Sequence, residues 1–172
     1  MKQLKQGLSQ AVFAAVLGML VAALCIPVFA LDVTVTAASV ASSSGATKAY
    51  GVAGEAITIG QAVGIDSSSG LIKKTDCNGT QSSFAGIAVT GASASGQPIT
   101  YVTKDPNFAV GGTTTLGSVY VTSQTAGGIA PVADNLPTAT PAATGCIATV
   151  IGVGKTSTTI TLDPVSANVA IP

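Results

Sequence analysis

Two stretches of this chain with similar sequence patterns indicate its fold. Residues 59–72 read IGQAVGIDSSSGLI, and residues 116–129 read LGSVYVTSQTAGGI. In each copy an alternating stretch runs into a polar turn that contains glycine, and apolar residues follow the turn. Alternation with period two on both sides of such a turn is typical of a β-hairpin. The sequence therefore predicts one hairpin in each half of the chain.

The repeat continues beyond the hairpins. Each copy is followed by a loop, an apolar stretch that contains glycine, and a final alternating stretch, which are residues 84–89 and 98–102 in the first half and residues 149–153 and 159–162 in the second. No window of the body keeps an amphipathic period of 3.6 residues. We therefore expect an all-β fold, a small β-sandwich or barrel of two similar β-units, preceded by one N-terminal hydrophobic helix.

Three regions follow from these patterns. Residues 1–30 are a membrane-directed segment, residues 31–50 are an N-terminal strand or arm with a linker, and residues 51–172 are a β-domain whose two units span about 51–104 and 111–163. Within the arm, residues 31–36 (LDVTVT) alternate as a strand does, and residues 37–47 are rich in Ala, Ser and Gly, as linkers are. The strands are expected at residues 56–59, 62–65, 71–72, 84–90, 98–103, 113–116, 119–122, 128–132, 146–153 and 158–162.

The N-terminal segment is long and apolar enough to cross a bilayer. Residues 11–31 carry no charge, and about 21 helical residues span about 30 Å of hydrocarbon. Representative positions are Ala11, Leu17, Leu20, Leu24 and Phe29. A secretory signal fits equally, because Lys2 and Lys5 precede the apolar stretch and Val28-Phe29-Ala30 has the pattern of a cleavage site. Both interpretations predict export of the body.

Composition excludes several classes of function. Charged residues make up 8% of the chain, Arg is absent, and the body has one short basic pair, Lys73-Lys74, so nucleic-acid binding is not expected. His is also absent, which removes the commonest general base and the commonest metal ligand. The acidic residues lie in predicted turns or at strand ends, where Asp bonds the local backbone. We expect no catalytic residues, no cofactor and no metal site.

Two further motifs have plain structural interpretations. Residues 152–156 (GVGKT) end like a phosphate-binding loop, but Thr149 stands where that motif needs glycine, so a hairpin is expected there. Cys77 and Cys146 can form a disulfide in an exported protein, closing a loop of about 69 residues; the alternative is two free buried thiols.

Several stretches together resemble a known family. The body resembles the small capsid decoration proteins, also called head fibre or cement proteins, of tailed bacteriophages, over residues 31–172. The resemblance is carried by DVTVTAAS (32–39), GVAGEAITIGQAV (51–63), FAGIA (84–88), LGSVYV (116–121), TAGGIAP (125–131) and VIGV (150–153). It implies a β-rich, often trimeric protein without an active site, which lies outside an icosahedral shell and reinforces contacts between major capsid proteins.

The hydrophobic leader departs from that family and modifies the expectation. It suggests a virion that contains a lipid membrane, in which residues 11–31 anchor the protein and the β-domain projects. The expected function is therefore a non-enzymatic virion structural protein, whose partners are copies of itself, the major capsid protein and a membrane. Both chain ends are free to reach a neighbour, so Leu31, Val33, Val35, Val169 and Ile171 are candidate inter-subunit contacts. Their alternative interpretation is ordinary edge strands of the same domain.

Two other classes of function stay open at this stage. The first is a secreted or surface-exposed subunit of a filament or surface layer, matured by signal cleavage and assembled by strand exchange through its arm. The second is an exported carbohydrate-binding or hydrolytic β-domain. The second class is weakened because the chain has three Tyr and no Trp, and sugar platforms need exposed aromatic side chains.

Overall fold

The computed structural model describes residues 32–77, 83–132 and 147–170, with the backbone alone described at 147–148 and 166–170. A short 3-10 helix, Ala37–Ser39, precedes the strands of the described residues. They are β1 Val40–Ala41, β2 Thr47–Val52, β3 Ala62–Ile65, β4 Ile72–Lys74, β5 Phe84–Ala88, β6 Pro98–Val110, β7 Val119–Thr122, β8 Ile129–Pro131, β9 Ile147–Gly154 and β10 Thr159–Ala170.

The strands form one antiparallel sheet that curls into a half-barrel. The order along it is β4-β3-β5-β6-β10-β9-β7-β8, and β1 and β2 also pair with β6. Val, Ile and Thr are plentiful in these strands, and β-branched side chains suit a pleated surface. The expectation of an all-β fold is confirmed at this level.

Strand β6 belongs to both parts of the sheet. Its first half pairs with β2 and β5, through Tyr101 opposite Ala49 and Val102 opposite Ile87. Its second half pairs with β1 and β10, through Val110 opposite Val40 and Phe108 opposite Ile160. On one side of β6 the order continues β5-β3-β4, and on the other it continues through β10 to β9-β7-β8.

The two predicted hairpins are present, and their hydrogen bonds correspond. Strands β3 and β4 form the first hairpin, and β7 and β8 the second. The amide of Gly60 donates to the carbonyl of Ala88 at 2.8 Å, and the amide of Gly117 donates to that of Gly154 at the same distance. Both glycines have a left-handed backbone, with φ of 90° and 78°, which glycine adopts without strain.

Aliphatic side chains and a few aromatic rings fill two core clusters. The larger includes Ile87, Phe108, Tyr120, Ile151 and Leu162, and joins both halves of the sheet. The smaller lies in the first half and includes Ile57, Val63, Ile72, Ile99 and Tyr101. The Tyr120 hydroxyl accepts a hydrogen bond from the Thr115 amide at 2.8 Å, which satisfies the polar end of a ring that is 1% exposed.

Some strand predictions differ from the structure. Residues 32–36 lie outside the strands, residues 56–59 and 113–116 form no strand, and β2 begins inside the expected linker. At 56–59 the backbone meets the sheet in a single bridge, Ile57 to Ala92. Alternation alone does not show whether an extended segment finds a ladder partner.

Among the described residues, no helix is long and apolar enough to span a membrane. The expected membrane segment, including Ala11, Leu17, Leu20, Leu24 and Phe29, lies outside those residues.

Candidate assembly site: the N-terminal arm and its groove

Residues 32–41 form the first part of the expected arm region, and we call them the arm from here on. The arm crosses the second half of the sheet. The amide of Val33 donates to the carbonyl of Ile129 on β8 at 2.8 Å, and the amide of Thr36 donates to the carbonyl of Gly111 at 2.7 Å. The short 3-10 helix follows, and Val40 then pairs with Val110 as part of β1. The arm thus connects the edge strand β8 with the end of β6.

Four glycines line the groove that holds the arm, and we call Gly60, Gly111, Gly112 and Gly128 the groove glycines. A Cβ atom on Gly112 would lie 2.5 Å from the carbonyl oxygen of Thr34, and one on Gly111 would lie 2.7 Å from that of Thr36. A Cβ on Gly60 would overlap the side chain of Val35. The arm can approach this closely because these positions lack side chains.

The groove glycines come from both halves of the chain. Gly60 precedes β3, whereas Gly111 and Gly112 follow β6, and Gly128 precedes β8. The side chain of Val33 is partly buried against the larger core cluster. The arm therefore packs simultaneously against the first and second halves.

The candidate inter-subunit contacts have different positions in this structure. Val33 and Val35 contact their own domain but lie outside the strands. Val169 lies in β10, where the backbone alone is described, and Leu31 and Ile171 lie outside the described residues. An inter-subunit role for these positions stays a prediction.

A cavity of about 780 Å³ opens beside the arm. Hydroxyl groups dominate its polar lining, which includes Thr34, Thr36, Thr113, Tyr120 and Thr158. Among its described lining residues, Asp32 alone carries a charge. The Oδ1 atom of Asp32 is buried and has no hydrogen-bond partner.

A buried carboxylate fixes the segment that follows the arm. Asp105, fully buried on β6, accepts hydrogen bonds from the Ser43 amide at 2.7 Å, the Ser43 hydroxyl at 2.5 Å and the Asn107 amide at 2.8 Å. Hydrogen bonds to a buried carboxylate compensate for its loss of water. The serine-rich link between β1 and β2 is therefore attached to the middle of β6.

In the described part of the chain, three other carboxylates form ion pairs with lysine. The distances are 2.6 Å for Asp66–Lys73, 3.6 Å for Glu55–Lys74 and 2.9 Å for Asp163–Lys104. The Lys73 ammonium, followed by hydrogen bonds from Ser68, holds the pKa of the Asp66 carboxyl well below its usual range. These pairs stabilise turns and neighbouring strands.

No group of three or more His, Cys, Asp or Glu side chains that could hold a metal lies in the described part of the chain. The GVGKT stretch ends β9 and begins the turn of the expected hairpin between β9 and β10. The Lys155 ammonium in this turn donates to the carbonyl of Pro106 at 3.1 Å. Of the three tyrosines, Tyr101 and Tyr120 are buried and Tyr50 is exposed on β2, so they form no common aromatic platform.

Cys77 is fully buried and disulfide-bonded. The alternative of a free thiol at Cys77 is therefore wrong. Cys146 lies outside the described residues, and the pairing of Cys77 with Cys146 stays a prediction that mass mapping of unreduced peptides would check.

Comparison of this chain with protein-family models, with curated proteins and with solved structures finds no match.

Sequence reasoning missed the groove glycines and the bond between Ser43 and Asp105. The Gly111-Gly112 doublet directly after an apolar strand is a usable signal, because adjacent glycines often mark a close backbone approach. The Ser43–Asp105 contact joins residues far apart in the chain, and no local pattern indicates it.

Proposed function

We propose that this chain is a non-enzymatic structural protein of a virion, a capsid decoration or minor capsid component that stabilises the shell. Its β-domain consists of two similar units that share β6, preceded by a hydrophobic helix at residues 11–31. Its partners are further copies of itself, as a trimer or another homo-oligomer, the major capsid protein and a lipid membrane. The resemblance to phage decoration proteins supports this proposal.

The observation that carries the proposal is an apolar, exposed face on β2. Tyr50 and Val52 are 76% and 44% exposed, and residues two apart on a strand share a face. β2 has β6 as its partner in the sheet. Large apolar side chains that are exposed on one face of a strand are typical of a surface that another protein covers.

The test replaces this face in the full chain. Tyr50→Ser combined with Val52→Ser should abolish co-sedimentation with native particles and reduce the oligomer size measured by analytical ultracentrifugation. Val165→Ser is the matched control, because Val165 is 60% exposed on β10 and lies on another strand. Wild-type occupancy on the particle and wild-type oligomer size in the double variant would reject the β2 face as the contact surface.

The disulfide at Cys77 supports export of the body and is equally consistent with a second function. Disulfides persist in oxidising compartments, as expected for a secreted or surface-exposed subunit matured by signal cleavage. Intact mass of the protein from its native source separates the two versions. A mass near 16.6 kDa means that residues 1–30 persist and supports the anchored virion component, whereas loss of the leader after Ala30 supports the secreted subunit.

A further inference from the structure

Asp32 is a partly buried residue, and one of its two carboxylate oxygens has no hydrogen-bond partner. Its Oδ1 atom is buried and accepts no hydrogen bond, whereas Asp105 accepts three and Asp66 pairs with Lys73. A buried charged oxygen that accepts no hydrogen bond lowers the stability of the folded state relative to one that has a donor. The position of Asp32 at the start of the arm therefore calls for a specific donor.

The described residues around this carboxylate hold it in place and include no cationic side chain. The next residue, Val33, is hydrogen-bonded to Ile129, and a Cβ on Gly128 would lie 2.7 Å from Oδ2 of Asp32. The lining of the adjacent cavity supplies hydroxyl groups and Tyr120, whose hydroxyl already bonds the Thr115 amide. The β7–β8 turn and β8, residues 123–131, carry no charged residue.

We propose that the partner of Asp32 is the α-ammonium group of Leu31, created when the leader is removed after Ala30. Hydrolysis of the Ala30–Leu31 bond consumes one water, leaves a carboxylate on Ala30 and frees an amine on Leu31 that takes up a proton. The neutral amide with one N–H thereby becomes a cation with three N–H donors. This inference rests on the cleaved, secreted form given under the proposed function.

The new charge arises one residue from its partner. No loop has to close to bring the two groups together, so the entropic cost of pairing is small. Cleavage would thus add an ion pair that holds the arm in the groove. The precursor would lack this ion pair. Removal of the leader would therefore stabilise the mature fold.

The pairing has a defined pH dependence. Pairing with Asp32 raises the folded pKa of the amine above its ordinary value of about 7.7–8.0. The added stability is therefore present below about pH 8 and is lost as the pH rises through the folded pKa. Asp32 belongs to the arm, Tyr120 faces the site from β7, and the described lining of the cavity brings no further titratable group to it.

The test uses the full chain exported from a host that processes it, with intact mass confirming that the product begins at Leu31. The amine pKa is read from the pH dependence of its acylation, followed by the mass of the N-terminal peptide. We expect a pKa about 1 or more above the ordinary value, and a return to the ordinary value in Asp32→Asn. The melting temperature of the wild type should fall towards that of Asp32→Asn between pH 7 and about pH 10.

A second variant covers the case in which Asp32→Asn fails to fold. One Ala inserted between Ala30 and Leu31 leaves Asp32 and every described arm contact intact but moves the amine by one residue, so its pKa should be ordinary. Equal amine pKa values in the wild type and in both variants, or a native protein that retains residues 1–30, would overturn the proposal. Oligomer size and particle binding, measured on the same samples, show whether the proposed function fails separately.

Discussion

The two halves of the sheet have corresponding strand orders but close in different ways. In the first half the segment after β2 pairs directly with β4, through an Ala53–Ile72 bridge and a 2.7 Å hydrogen bond from the Gly54 amide to the Ile72 carbonyl. In the second half the arm lies between β8 and the end of β6. The second closure therefore depends on a segment from the other end of the domain.

This difference makes the arm a requirement for closing the second half alone. Residue 32, the first described residue of the arm, directly follows the expected membrane segment. Displacing the arm would uncover β8 and the partly buried Val33, while the first half would keep its own closure. Substitutions that separate the two closures test this interpretation.

The largest effect on stability is expected from Gly111→Ala. Gly111 has φ of 80°, and a Cβ there would meet Thr36 and Val40 of the arm. Strain and overlap together should lower the free energy of unfolding by about 3 kcal/mol, measured by urea titration. Amide exchange at Val33 and Thr36 should rise more than at Gly54.

Gly70→Ala is the matched control. Gly70 has φ of 69°, and a Cβ there would meet no atom within 4 Å, so about 1 kcal/mol is expected from backbone strain alone. Equal losses in the two variants would show that the arm does not press on Gly111.

Asp105→Ala should cost about 2 kcal/mol. It leaves two donors of Ser43 and the Asn107 amide without their acceptor, and it should loosen the link behind the arm. Asp163→Ala removes an ion pair that is largely exposed on both sides and should cost no more than about 0.5 kcal/mol. Thermal melts compare the two variants, and the melting temperature of Asp105→Ala should be the lower. Equal melting temperatures would contradict the anchoring role of Asp105.

The two hairpins should respond differently to acid. The first turn is capped by Asp66, whose pKa is lowered by Lys73, and the corresponding cap in the second turn is Ser123, whose hydroxyl accepts from the Thr125 amide. A lowered folded pKa means that the stabilisation is present above about pH 4, the unfolded value, and is lost as the pH falls below it.

Amide exchange at pH 7 and pH 3 checks this prediction. Opening of β3–β4 should increase at the lower pH relative to β7–β8, and Asp66→Asn should remove most of the difference. An equal response of both hairpins in the wild type would mean that the Asp66–Lys73 pair does not stabilise the first turn.

The smallest effect is expected from Tyr50→Thr. Tyr50 is 76% exposed on β2, so its replacement by another β-forming residue should change the free energy of unfolding by less than about 0.5 kcal/mol. A larger loss in urea titration, in a sample shown to be monomeric, would mean that Tyr50 supports the fold rather than a contact surface.

Local pattern explains which parts of the fold could be predicted. Strands β3 and β7 coincide with the predicted residues 62–65 and 119–122, because alternation and a glycine-containing turn are both encoded nearby. Strand β2 was missed because its sequence, TKAYGV, lacks clear alternation and is recruited by pairing with β6. Tertiary pairing overrides weak local preference in such strands.

The candidate site shows the same limit. Val33 and Val35 have the period of a strand, but the arm is held by two widely spaced hydrogen bonds and by the groove glycines rather than by a ladder. The glycines were visible in the sequence as turn formers. Their second role requires knowing which segment lies above them, and that is a property of the fold.

The sharing of β6 has a consequence for how the molecule folds. A domain divided after Val110 would leave the second half without the strand that pairs with β10 at Phe108 and Ala109, and a division before Pro98 would deprive β2 and β5 of their common neighbour. Neither half is therefore a self-sufficient folding unit. Denaturation should proceed as one cooperative transition with a single m-value rather than as two successive steps.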